Sequence, residues 1–394
     1  MSTYLIISDE FYPYENASTN CLLKVLQQLV ALGNDVTVLS CAYDKTIPPE
    51  EEYKGFKIKR IYSNNKLPYC YINFPFENER THKKLFNFML MLYGTVTKKI
   101  KYIKQYKNLK KRKTFDYIMS VHCPSKNHDL AYMITKKEDK WILWNLDPFV
   151  FNYQLLETMG YRKAKEKIWA RKAHRVICAE GIIEENKRKN YKPFKNTPQL
   201  SLPLPNFNID WSKYNKDSSE NKIILRYTGA FYKEIRNPDY LIELLRDLEP
   251  TEFSVEFYGS CCSYLEQNYS KLPECFELKG TVSVDECHKL VETADILINI
   301  GNDCPNQIPS KTFEYIATGK PILNVYYSET DPSLSYLKRY PSILNLKYGQ
   351  KIDSQTILNF INDSKCTEKK HLADLYSDIS TENIVKRFCD FVET

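Results

Sequence analysis

Apolar runs and helical stretches alternate along the first half of the chain. The opening run TYLIISD is β-rich, CLLKVLQQLVALG carries leucines at helical spacing before a glycine, and DVTVLSC is a second apolar run. Two strands joined by a helix form a βαβ unit, whose strands have continuous apolar sequences because both faces of the sheet are covered. The pattern therefore predicts one doubly wound α/β domain over residues 1–205. Its further predicted strands are GFKIKRIY, FDYIMSV, KWILWNL and HRVICAE.

A second alternation of the same kind follows a segment rich in proline, asparagine and serine. That segment, LPLPNFNIDWSKYNKDSSENK at residues 202–222, is typical of a linker. We expect a second doubly wound domain over residues 206–370, and a C-terminal helix at 371–394 that packs back towards the first domain. The predicted fold class is thus α/β, with two doubly wound, Rossmann-like domains facing across a cleft. The predicted strands of the second domain are KIILRYTG, EFSVEFYG, CFELKG, DILINIG and PILNVYY.

Length and composition agree with this architecture and exclude several classes of protein. With 394 residues, the chain exceeds the size at which one hydrophobic core keeps growing. Its 12 cysteines lack the spacing of metal ligands, and its N-terminus lacks the features of a signal peptide. The longest nearly uncharged apolar run, residues 85–96, is far shorter than the roughly 20 residues of a membrane-spanning helix. We therefore expect a cytoplasmic protein with reduced thiols and no bound metal.

The charge of the chain is divided unevenly between its halves. The net charge is +7, but residues 1–200 hold 35 Lys and Arg against 20 Asp and Glu, whereas the rest of the chain holds 21 against 29. The first half thus carries +15 and the second half −8. This asymmetry indicates an anionic partner for the first half, such as a membrane surface, a lipid phosphate or a nucleic acid.

The segment from Lys98 to Lys113 concentrates this charge, with nine basic residues and no acidic one. Apolar residues recur in it at helical spacing, at Ile100, Ile103, Tyr106 and Leu109. The pattern predicts a basic amphipathic helix that contacts an anionic membrane on the inner face of the plasma membrane, with its apolar stripe at the headgroup boundary. The alternatives are a solvated helix face and a nucleic-acid groove. No recognised nucleic-acid motif accompanies the helix, so we expect no nucleic-acid partner.

The richest candidate chemistry lies in the segment GNDCPNQIPSKTFEYIATGKPILNVYY, residues 301–327. A predicted strand leads into a loop that ends in Pro309, and a helix is predicted to begin at Ser310. The N-terminus of a helix offers unpaired N–H groups and a partial positive charge, which suit a diphosphate. Lys311 adds a cation there, and Glu314 can accept hydrogen bonds from two ribose hydroxyls. An amphipathic helix with a solvated lysine is an equally weighted alternative.

The stretch IPSKTFEYIATGKPI resembles the donor-site motif of GT-B glycosyltransferases, particularly glycosyltransferase family 4 and its relatives. In that family the Glu of the EY pair holds the ribose of the nucleotide, and Glu314 matches it. The family often places an acidic residue eight positions earlier, at the sugar or its leaving group, where this chain has Asn306. An amide can hydrogen-bond a sugar hydroxyl but carries no negative charge, so this departure weakens the retaining stereochemistry that the resemblance implies.

A second stretch, YTGAFYKEIRNPDYLIELL, resembles the phosphate loop of the same family. Its predicted strand ends in Gly229, and the family's basic side chain for the pyrophosphate is matched by Arg236, seven positions later. Arginine can bind phosphate oxygens bidentately. The position immediately after the glycine, often basic in the family, is Ala230, which leaves Lys233 and Lys311 as substitutes. A surface cation before a helix is the alternative.

The stretch SDEFYPYENASTN resembles the first loop of the family, in which a glycine-containing turn lets the backbone approach donor and acceptor. This chain has Asn16, Ala17 and Ser18 instead of a glycine pair. Asparagine is the residue after glycine that best tolerates positive φ, so that the turn can survive the replacement. The equally weighted alternative is an ordinary loop in which Ser18 or Thr19 caps the helix.

A histidine follows a central predicted strand of the first half. His122 begins the loop after FDYIMSV, where members of the family carry a histidine beside the transferred sugar; a structural histidine is the alternative. Asp147 and Glu180 follow the next two strands at the same edge of the sheet. Either carboxylate can serve the acceptor, but the structural role of capping a helix is favoured.

The resemblance as a whole implies a metal-independent glycosyltransferase. In this interpretation Arg236, Lys311 and helix dipoles stabilise the leaving diphosphate in place of a metal ion. Glu314 anchors the ribose, and His122 lies near the anomeric carbon. The partners are a UDP- or GDP-sugar as donor, with no further cofactor, and a glycan or lipid-linked acceptor in the synthesis of a surface polysaccharide or glycoconjugate. The remaining donor contacts are expected at Gly229, Ser310, Asn306, Pro309, Asn16 and Ala17.

Two other classes of protein compete with this interpretation. A catalytically impaired relative that binds a glycan or a partner protein is one, for which the replacements at Asn16 and Asn306 are the sequence signs. A nucleotide-sugar epimerase of the same two-domain fold is the other. An epimerase needs carboxylates in the cleft for acid–base work, and the amide at Asn306 disfavours it.

Overall fold

The computed structural model describes residues 1–14, 16–63, 81–122, 125–154, 159–207, 222–246, 248 and 253–394, and in the helix that begins at Thr81 it describes side chains from Val96 onward. The described part of the chain forms two sheets, of eight and six strands, each accompanied by helices. The α/β class and the two doubly wound domains that the sequence predicts are confirmed. Most of the predicted linker, residues 208–221, lies outside the described residues.

The first sheet has eight strands, and its middle strands are buried. Its strands are β1 (Thr3–Ile7), β2 (Asp35–Ala42), β3 (Glu50–Tyr53), β4 (Phe56–Tyr62), β5 (Tyr117–His122), β6 (Trp141–Asn145), β7 (Arg175–Ala179) and β8 (Gln199–Leu202). Their spatial order is β3-β4-β2-β1-β5-β6-β7-β8, and all neighbours are parallel except β3 and β4. The order reverses between β1 and β5, so the loops after these strands diverge to leave the crevice in which such sheets bind ligands.

Five helices in the described residues belong to this domain: α1 (Ala17–Ala31), α2 (Thr81–Arg112), α3 (Lys126–Ile134), α4 (Met159–Trp169) and α5 (Ile182–Arg188). Helix α1 shows why these segments are helical. Its leucines and valines recur every three or four residues, and the face that they form is buried against the sheet. Lys24, outside that buried face of α1, lies near the carboxylate of Glu314 in the second domain.

The basic segment is part of α2, but its apolar stripe packs inside the protein. Tyr106 and Leu109 are buried in the core of the first domain, and Ile103 packs against that core, whereas Ile100 is 59% exposed. Lys98 is also buried and forms an ion pair with Asp9. The expectation that this stripe lies at a headgroup boundary is therefore wrong, because the domain core already covers most of it. No helix among the described residues has the length and hydropathy that a membrane span requires.

The second sheet is entirely parallel. Its strands are β9 (Ile223–Thr228), β10 (Phe253–Tyr258), β11 (Phe276–Gly280), β12 (Ile296–Ile300), β13 (Ile322–Tyr326) and β14 (Ile343–Lys347), in the spatial order β11-β10-β9-β12-β13-β14. The order reverses between β9 and β12. The accompanying helices are α6 (Asp239–Arg246), α7 (Cys261–Asn268), α8 (Val284–Thr293), α9 (Ser310–Thr318), α10 (Leu334–Leu337) and α11 (Ser354–Asp363).

The chain ends with helices α12 (Lys369–Leu375) and α13 (Thr381–Glu393), separated by a 3₁₀ turn at Ser377–Ile379. Helix α13 packs on the first sheet, where the ring of Phe388 stacks on Trp144 of β6 with 5.5 Å between ring centroids. Arg387 of the same helix donates a hydrogen bond to the backbone oxygen of Ser201. The end of the chain thus returns to the domain in which it began.

Candidate functional site

Two glycine turns meet at the carboxyl edge of the second sheet, after the neighbouring strands β9 and β10. The backbone N–H of Gly229, after β9, donates to the oxygen of Tyr258 at 2.9 Å. Gly259, after β10, has φ of 112°, and a Cβ atom there would collide with the backbone oxygen of Gly229. Only glycine fits at such a close approach. The sequence singled out Gly229 but missed Gly259, whose requirement depends on the packing of the two turns against each other.

Helix α9 is anchored beside these turns by two of its own side chains. The hydroxyl of Tyr315 accepts a hydrogen bond from the N–H of Thr228 at 3.2 Å and lies 3.0 Å from the Oγ1 atom of the same residue. Thr312 donates to the side chain of Asn299 in β12 at 3.3 Å. Asn299 is in turn bonded to Asn324 of β13. The start of α9, at Pro309 and Ser310, is thereby fixed at the carboxyl edge of the sheet.

Glu314 is a buried, ionised carboxylate in the second turn of this helix. It is 9% exposed, and its Oε2 atom is 2.6 Å from the ammonium of Lys311. Burial alone would raise the pKa of Glu314, but the cations of Lys311 and of Lys24 in α1 outweigh it and lower that pKa. A carboxylate kept ionised away from water is a strong hydrogen-bond acceptor. Since Lys24 comes from the other domain, Glu314 lies where the two domains face each other.

Lys311 is engaged with Glu314 rather than with the glycine turns. Its ammonium lies 3.5 Å from the sulfur of Cys287 in α8, in addition to its contact with the carboxylate. Burial lowers the pKa of Lys311, but the charge of Glu314 raises it by more, so the side chain stays protonated. In this arrangement the ammonium of Lys311 helps to keep the carboxylate of Glu314 ionised. Its predicted contact with a phosphate stays a prediction, and Lys233 is exposed at the surface.

Arg236 begins a chain of hydrogen bonds that crosses between the domains. Its Nε and Nη2 atoms donate to the Oδ1 atom of Asn302, at 2.9 and 2.6 Å. Asn302 donates to the backbone oxygen of Gln307 at 3.0 Å, and the side chain of Gln307 donates to Oδ1 of Asp147 at 2.9 Å. His122 donates from Nδ1 to the backbone oxygen of Asp147 at 3.1 Å. Residues predicted separately from the sequence are therefore connected.

Asn306 is buried where the two domains meet. It is 1% exposed, and its Nδ2 atom donates to the backbone oxygen of Phe151 at 2.8 Å, while its Oδ1 atom has no hydrogen-bond partner among the described residues. Gly181, after β7, lies against it with φ of 86°, and a Cβ atom there would be 2.7 Å from the oxygen of Pro305 and 2.8 Å from Cα of Asn306. In this conformation Asn306 joins the domains, and its predicted contact with a sugar stays a prediction.

Gly181→Ala should destabilise the protein more than an alanine at a glycine with open surroundings. Alanine costs about 1–2 kcal/mol in the left-handed region, and overpacking adds about 1–3 kcal/mol. Gly33→Ala is the matched control, because Gly33 has φ of 81° and no atom within 4 Å of its Cβ position. Thermal unfolding of both variants measures the difference. Equal losses would mean that the domains do not touch at Gly181 in solution.

His122 is neutral in this environment. It is 6% exposed, and burial lowers the pKa of its ring to about 4. Because a backbone oxygen only accepts, Nδ1 carries the proton and Nε2 carries the lone pair, to which none of the described residues is hydrogen-bonded. The imidazole can therefore accept a hydrogen bond from a ligand but does not supply a positive charge. Residues 123–124 of the predicted loop lie outside the described residues.

The first loop differs from the expected turn. Asn16 has φ of −153°, which is extended backbone, and its side chain accepts from the N–H of Thr19 at 2.9 Å, so Asn16 itself caps α1. The expected positive φ at Asn16 is wrong, because capping requires the extended conformation. Ala17 is the first residue of α1. Two turns later Lys24 donates to Asn206 at 2.8 Å and lies near Glu314.

Two further carboxylates lie at the same edge of the first sheet. Glu180 accepts a hydrogen bond from the hydroxyl of Tyr336 in α10 and so contacts the second domain. Asp9, which sequence reasoning missed, is completely buried and is bonded to Lys98, Lys126 and the hydroxyl of Tyr102. These partners balance its charge. The sequence feature that could have identified Asp9 is its position just after β1. The residues that bind its carboxylate, however, come from distant segments of the chain.

The sequence matches no protein-family model and none of the curated proteins. The structure nevertheless resembles solved structures over its whole length. A sucrose-phosphate synthase from Thermosynechococcus elongatus has 13% identity and a TM-score of 0.67, with 100% of this chain and 98% of that chain covered. A glycosyltransferase from Rickettsia africae has 13% identity and a TM-score of 0.63, with 100% and 98% covered. A trehalose-6-phosphate structure from E. coli bound with UDP-2-fluoro glucose has 9% identity and a TM-score of 0.61, with 100% and 99% covered.

Proposed function

We propose that this chain, whose two domains have the GT-B fold, is a glycosyltransferase that takes its sugar from a UDP- or GDP-sugar. The observation that carries the proposal is Glu314, a buried carboxylate held ionised at the domain interface, one turn from the free N-terminus of α9. Vicinal ribose hydroxyls suit such a carboxylate, and a diphosphate suits the helix N-terminus. About one helical turn, roughly 5.4 Å, separates the two groups, so that one nucleotide can contact both.

The proposed donor contacts divide the nucleotide between three elements. Glu314 accepts the ribose hydroxyls, and Ser310 at the start of α9 offers its backbone N–H to a phosphate. Arg236 supplies the phosphate cation, and its guanidinium is held in place because Nε and Nη2 both donate to Asn302. Because Gly229 has no side chain, the backbone of this turn can approach the phosphates closely. The similar structure from E. coli contains UDP-2-fluoro glucose, which supports a donor of this class.

The leaving diphosphate is proposed to need no metal ion. A guanidinium and a helix N-terminus supply positive charge where negative charge develops, and such preorganised groups can replace a metal. The acceptor is proposed to be a glycan or a lipid-linked glycan in surface polysaccharide or glycoconjugate synthesis, bound by the basic first domain. Retention of configuration is implied by the resemblance alone, and Asn306 offers no carboxylate to support it.

Calorimetry with UDP, GDP and ADP in excess EDTA tests the donor proposal. We expect one of the uracil or guanine nucleotides to bind, and a nucleotide at 100 times its Kd to stabilise the protein by about 2.7 kcal/mol against unfolding. Release of nucleoside diphosphate from the matching nucleotide-sugar should continue in EDTA. Binding without any turnover would favour the catalytically impaired relative. Absence of binding, or activity that EDTA abolishes and Mg²⁺ restores, would contradict the proposal.

Membrane contact through Lys98 to Lys113 is a further part of the proposal, now restricted to the exposed lysines of α2. Each lysine near an anionic surface contributes about 1 kcal/mol, and several lie on the outer face of the helix. The protein should sediment with vesicles of phosphatidylserine and phosphatidylcholine and release as salt rises. The test variant changes four lysines to glutamine: Lys104, Lys107, Lys110 and Lys111.

When the vesicles are sedimented, this variant should stay in the supernatant, and it should still bind nucleotide. A matched control removes the same charge elsewhere on the first domain, by glutamine at four other exposed lysines: Lys187, Lys189, Lys192 and Lys195. The control should sediment like the wild type. If the variant and the control both stay in solution, net charge alone explains the binding; if all three proteins partition alike, the α2 lysines do not contribute to it, and in either case the α2 surface has no specific part.

A further inference from the structure

Three neighbouring helices form one layer over the first sheet. Helices α2, α3 and α4 follow β4, β5 and β6, and each leads to a strand further along the sheet in the same direction. Because such crossovers are right-handed, the three helices cover the same face of the sheet. Helix α2 packs against α3, and Asp129 of α3 accepts hydrogen bonds from Lys165 and Trp169 of α4. We call these three helices the helix layer.

Half of the large apolar side chains that the described residues expose belong to the helix layer. They are five of ten: Val96 and Ile100 of α2, Met133 of α3, and Tyr161 and Ile168 of α4. Exposed apolar residues scattered singly are normal on a protein surface, whereas their concentration on one side is typical of an interaction surface. The outer side of the layer is therefore a candidate for docking.

Helix α4 presents its exposed apolar residues on one face. Tyr161 is 54% exposed and Ile168 is 39% exposed, and their separation of seven residues places them two turns apart on the same side of the helix. Ala164 is exposed between them. This face of α4 is open to solvent, whereas most of the apolar stripe of α2 is covered by the domain core.

The exposed charges of the helix layer are positive. Every charged side chain that α2 exposes from Val96 onward is a Lys or Arg, and Lys167 is exposed on α4. The described side chains of the layer include two acidic residues, Asp129 and Glu166. Asp129 is paired with Lys165, while burial raises the pKa of Glu166 to about 8, so that Glu166 is mostly uncharged at neutral pH. The layer is therefore complementary to an anionic surface.

We propose that the helix layer docks on an anionic membrane, with Tyr161 and Ile168 of α4 inserted at the headgroup boundary. A membrane surface receives apolar side chains and cations together, since the apolar groups enter the boundary while the cations meet the lipid phosphates. Tyrosine suits this boundary because its ring is apolar and its hydroxyl is polar. The inference rests on the membrane contact proposed above, and it adds α4 and two apolar anchors to the lysines of α2.

Sedimentation with vesicles of phosphatidylserine and phosphatidylcholine tests the two anchors. The double variant Tyr161→Ser, Ile168→Ser keeps every charge and should lower the partition coefficient at least about tenfold, because apolar area then stays in water. The control variant carries Leu32→Ser and Tyr348→Ser, an aliphatic residue and a tyrosine that are exposed outside the layer. The control should sediment like the wild type. Both variants should unfold at the wild-type temperature, because the replaced side chains are exposed.

Salt distinguishes the apolar anchors from the lysines of α2. Salt screens the attraction between lysines and lipid phosphates, so the loss caused by glutamine at the four α2 lysines should shrink as salt rises. Transfer of an apolar side chain into the boundary is not screened. Over the range of salt in which the wild type still binds, the ratio of its partition coefficient to that of the serine variant should therefore stay constant.

A fluorescence measurement reports the contact itself. Tyr161→Trp adds a fluorophore at the proposed boundary, and brominated phosphatidylcholine in the vesicles should quench this added emission, because bromine quenches tryptophan only at short range. Tyr348→Trp is the matched control in the second domain and should not be quenched. Equal quenching of the two variants would overturn the placement of α4 at the membrane.

Each outcome of the sedimentation decides the inference. Equal partitioning of the serine variant and the wild type overturns it, and the α2 contact then survives alone if its glutamine variant still binds less. If the wild type does not sediment, the proposed membrane contact and this inference fail together, while the nucleotide titrations still test the donor site. A wild-type dimer that the serine variant dissociates in gel filtration would make the layer an interface between two copies, which also overturns the inference.

Discussion

Replacement of Glu314 by alanine should lower the affinity for UDP or GDP, whichever the wild type binds, about 10- to 150-fold. A hydrogen bond to a charged group contributes about 1.5–3 kcal/mol, and 1.4 kcal/mol is a factor of ten in Kd. The structure supports the upper part of this range, because the carboxylate is buried and kept ionised by Lys311 and Lys24. Calorimetry gives the affinity, and the corresponding nucleoside should lose binding as well, since the ribose is common to both.

The control for this prediction breaks an ion pair outside the cleft. Glu329→Ala removes the exposed partner of Lys338 in the same domain, where the two atoms are 3.0 Å apart. Its nucleotide affinity should equal that of the wild type. If Glu314→Ala binds nucleotide as tightly as the Glu329→Ala control does, Glu314 does not contact the ribose, and the donor site lies elsewhere.

Arg236→Ala should produce the second large effect, with a different pattern. Affinity for the nucleoside diphosphate should fall about 10- to 100-fold, because a charge-assisted bond to phosphate is lost, while the bare nucleoside should change less than about twofold. Arg236 differs in this from Glu314, whose loss weakens both ligands. Calorimetric titrations of the two variants with diphosphate and nucleoside separate the ribose contact from the phosphate contact.

Lys233→Ala is the matched control for Arg236, because it removes one positive charge from the same loop at an exposed position. Screening by salt makes such a charge worth little. The control should lose less than about twofold in diphosphate affinity. Equal losses in the two variants would mean that Arg236 acts only through the net positive charge of the loop and does not bind the phosphate directly.

The central strands were predictable from the sequence, whereas several edge strands were not. β1, β2, β9 and β12 are covered on both faces, so nearly all of their side chains are buried and apolar residues predominate in their sequences. The edge strands β3 and β14 and the short β8 have one neighbouring strand each and are partly exposed. Such strands need no continuous apolar sequence. Because β3 consists mainly of glutamates, the search for apolar runs does not detect it.

The donor half of the site was predictable because its residues are close in sequence. Ser310, Lys311 and Glu314 share one helix, so their spacing in the sequence fixes their relative positions. The bonds of Asn306 to Phe151 and of Gln307 to Asp147 join positions about 160 residues apart. They depend on how the two domains are oriented, which no local pattern encodes.

The basic helix shows a limit of periodicity of another kind. An apolar stripe at helical spacing has the same sequence whether it packs on a protein core or on a membrane. Tyr106 and Leu109 pack on the core of the first domain. The sequence predicted the helix correctly, but the partner of its apolar face could be identified only from the fold.

A structure of the protein with bound UDP or GDP measures the central claim most directly. The claim predicts that both ribose hydroxyls lie about 2.5–3.0 Å from the carboxylate oxygens of Glu314. The diphosphate should lie at the N-terminus of α9, within hydrogen-bond distance of Arg236. A nucleotide bound elsewhere, or one whose ribose leaves Glu314 paired only with Lys311, would contradict the account.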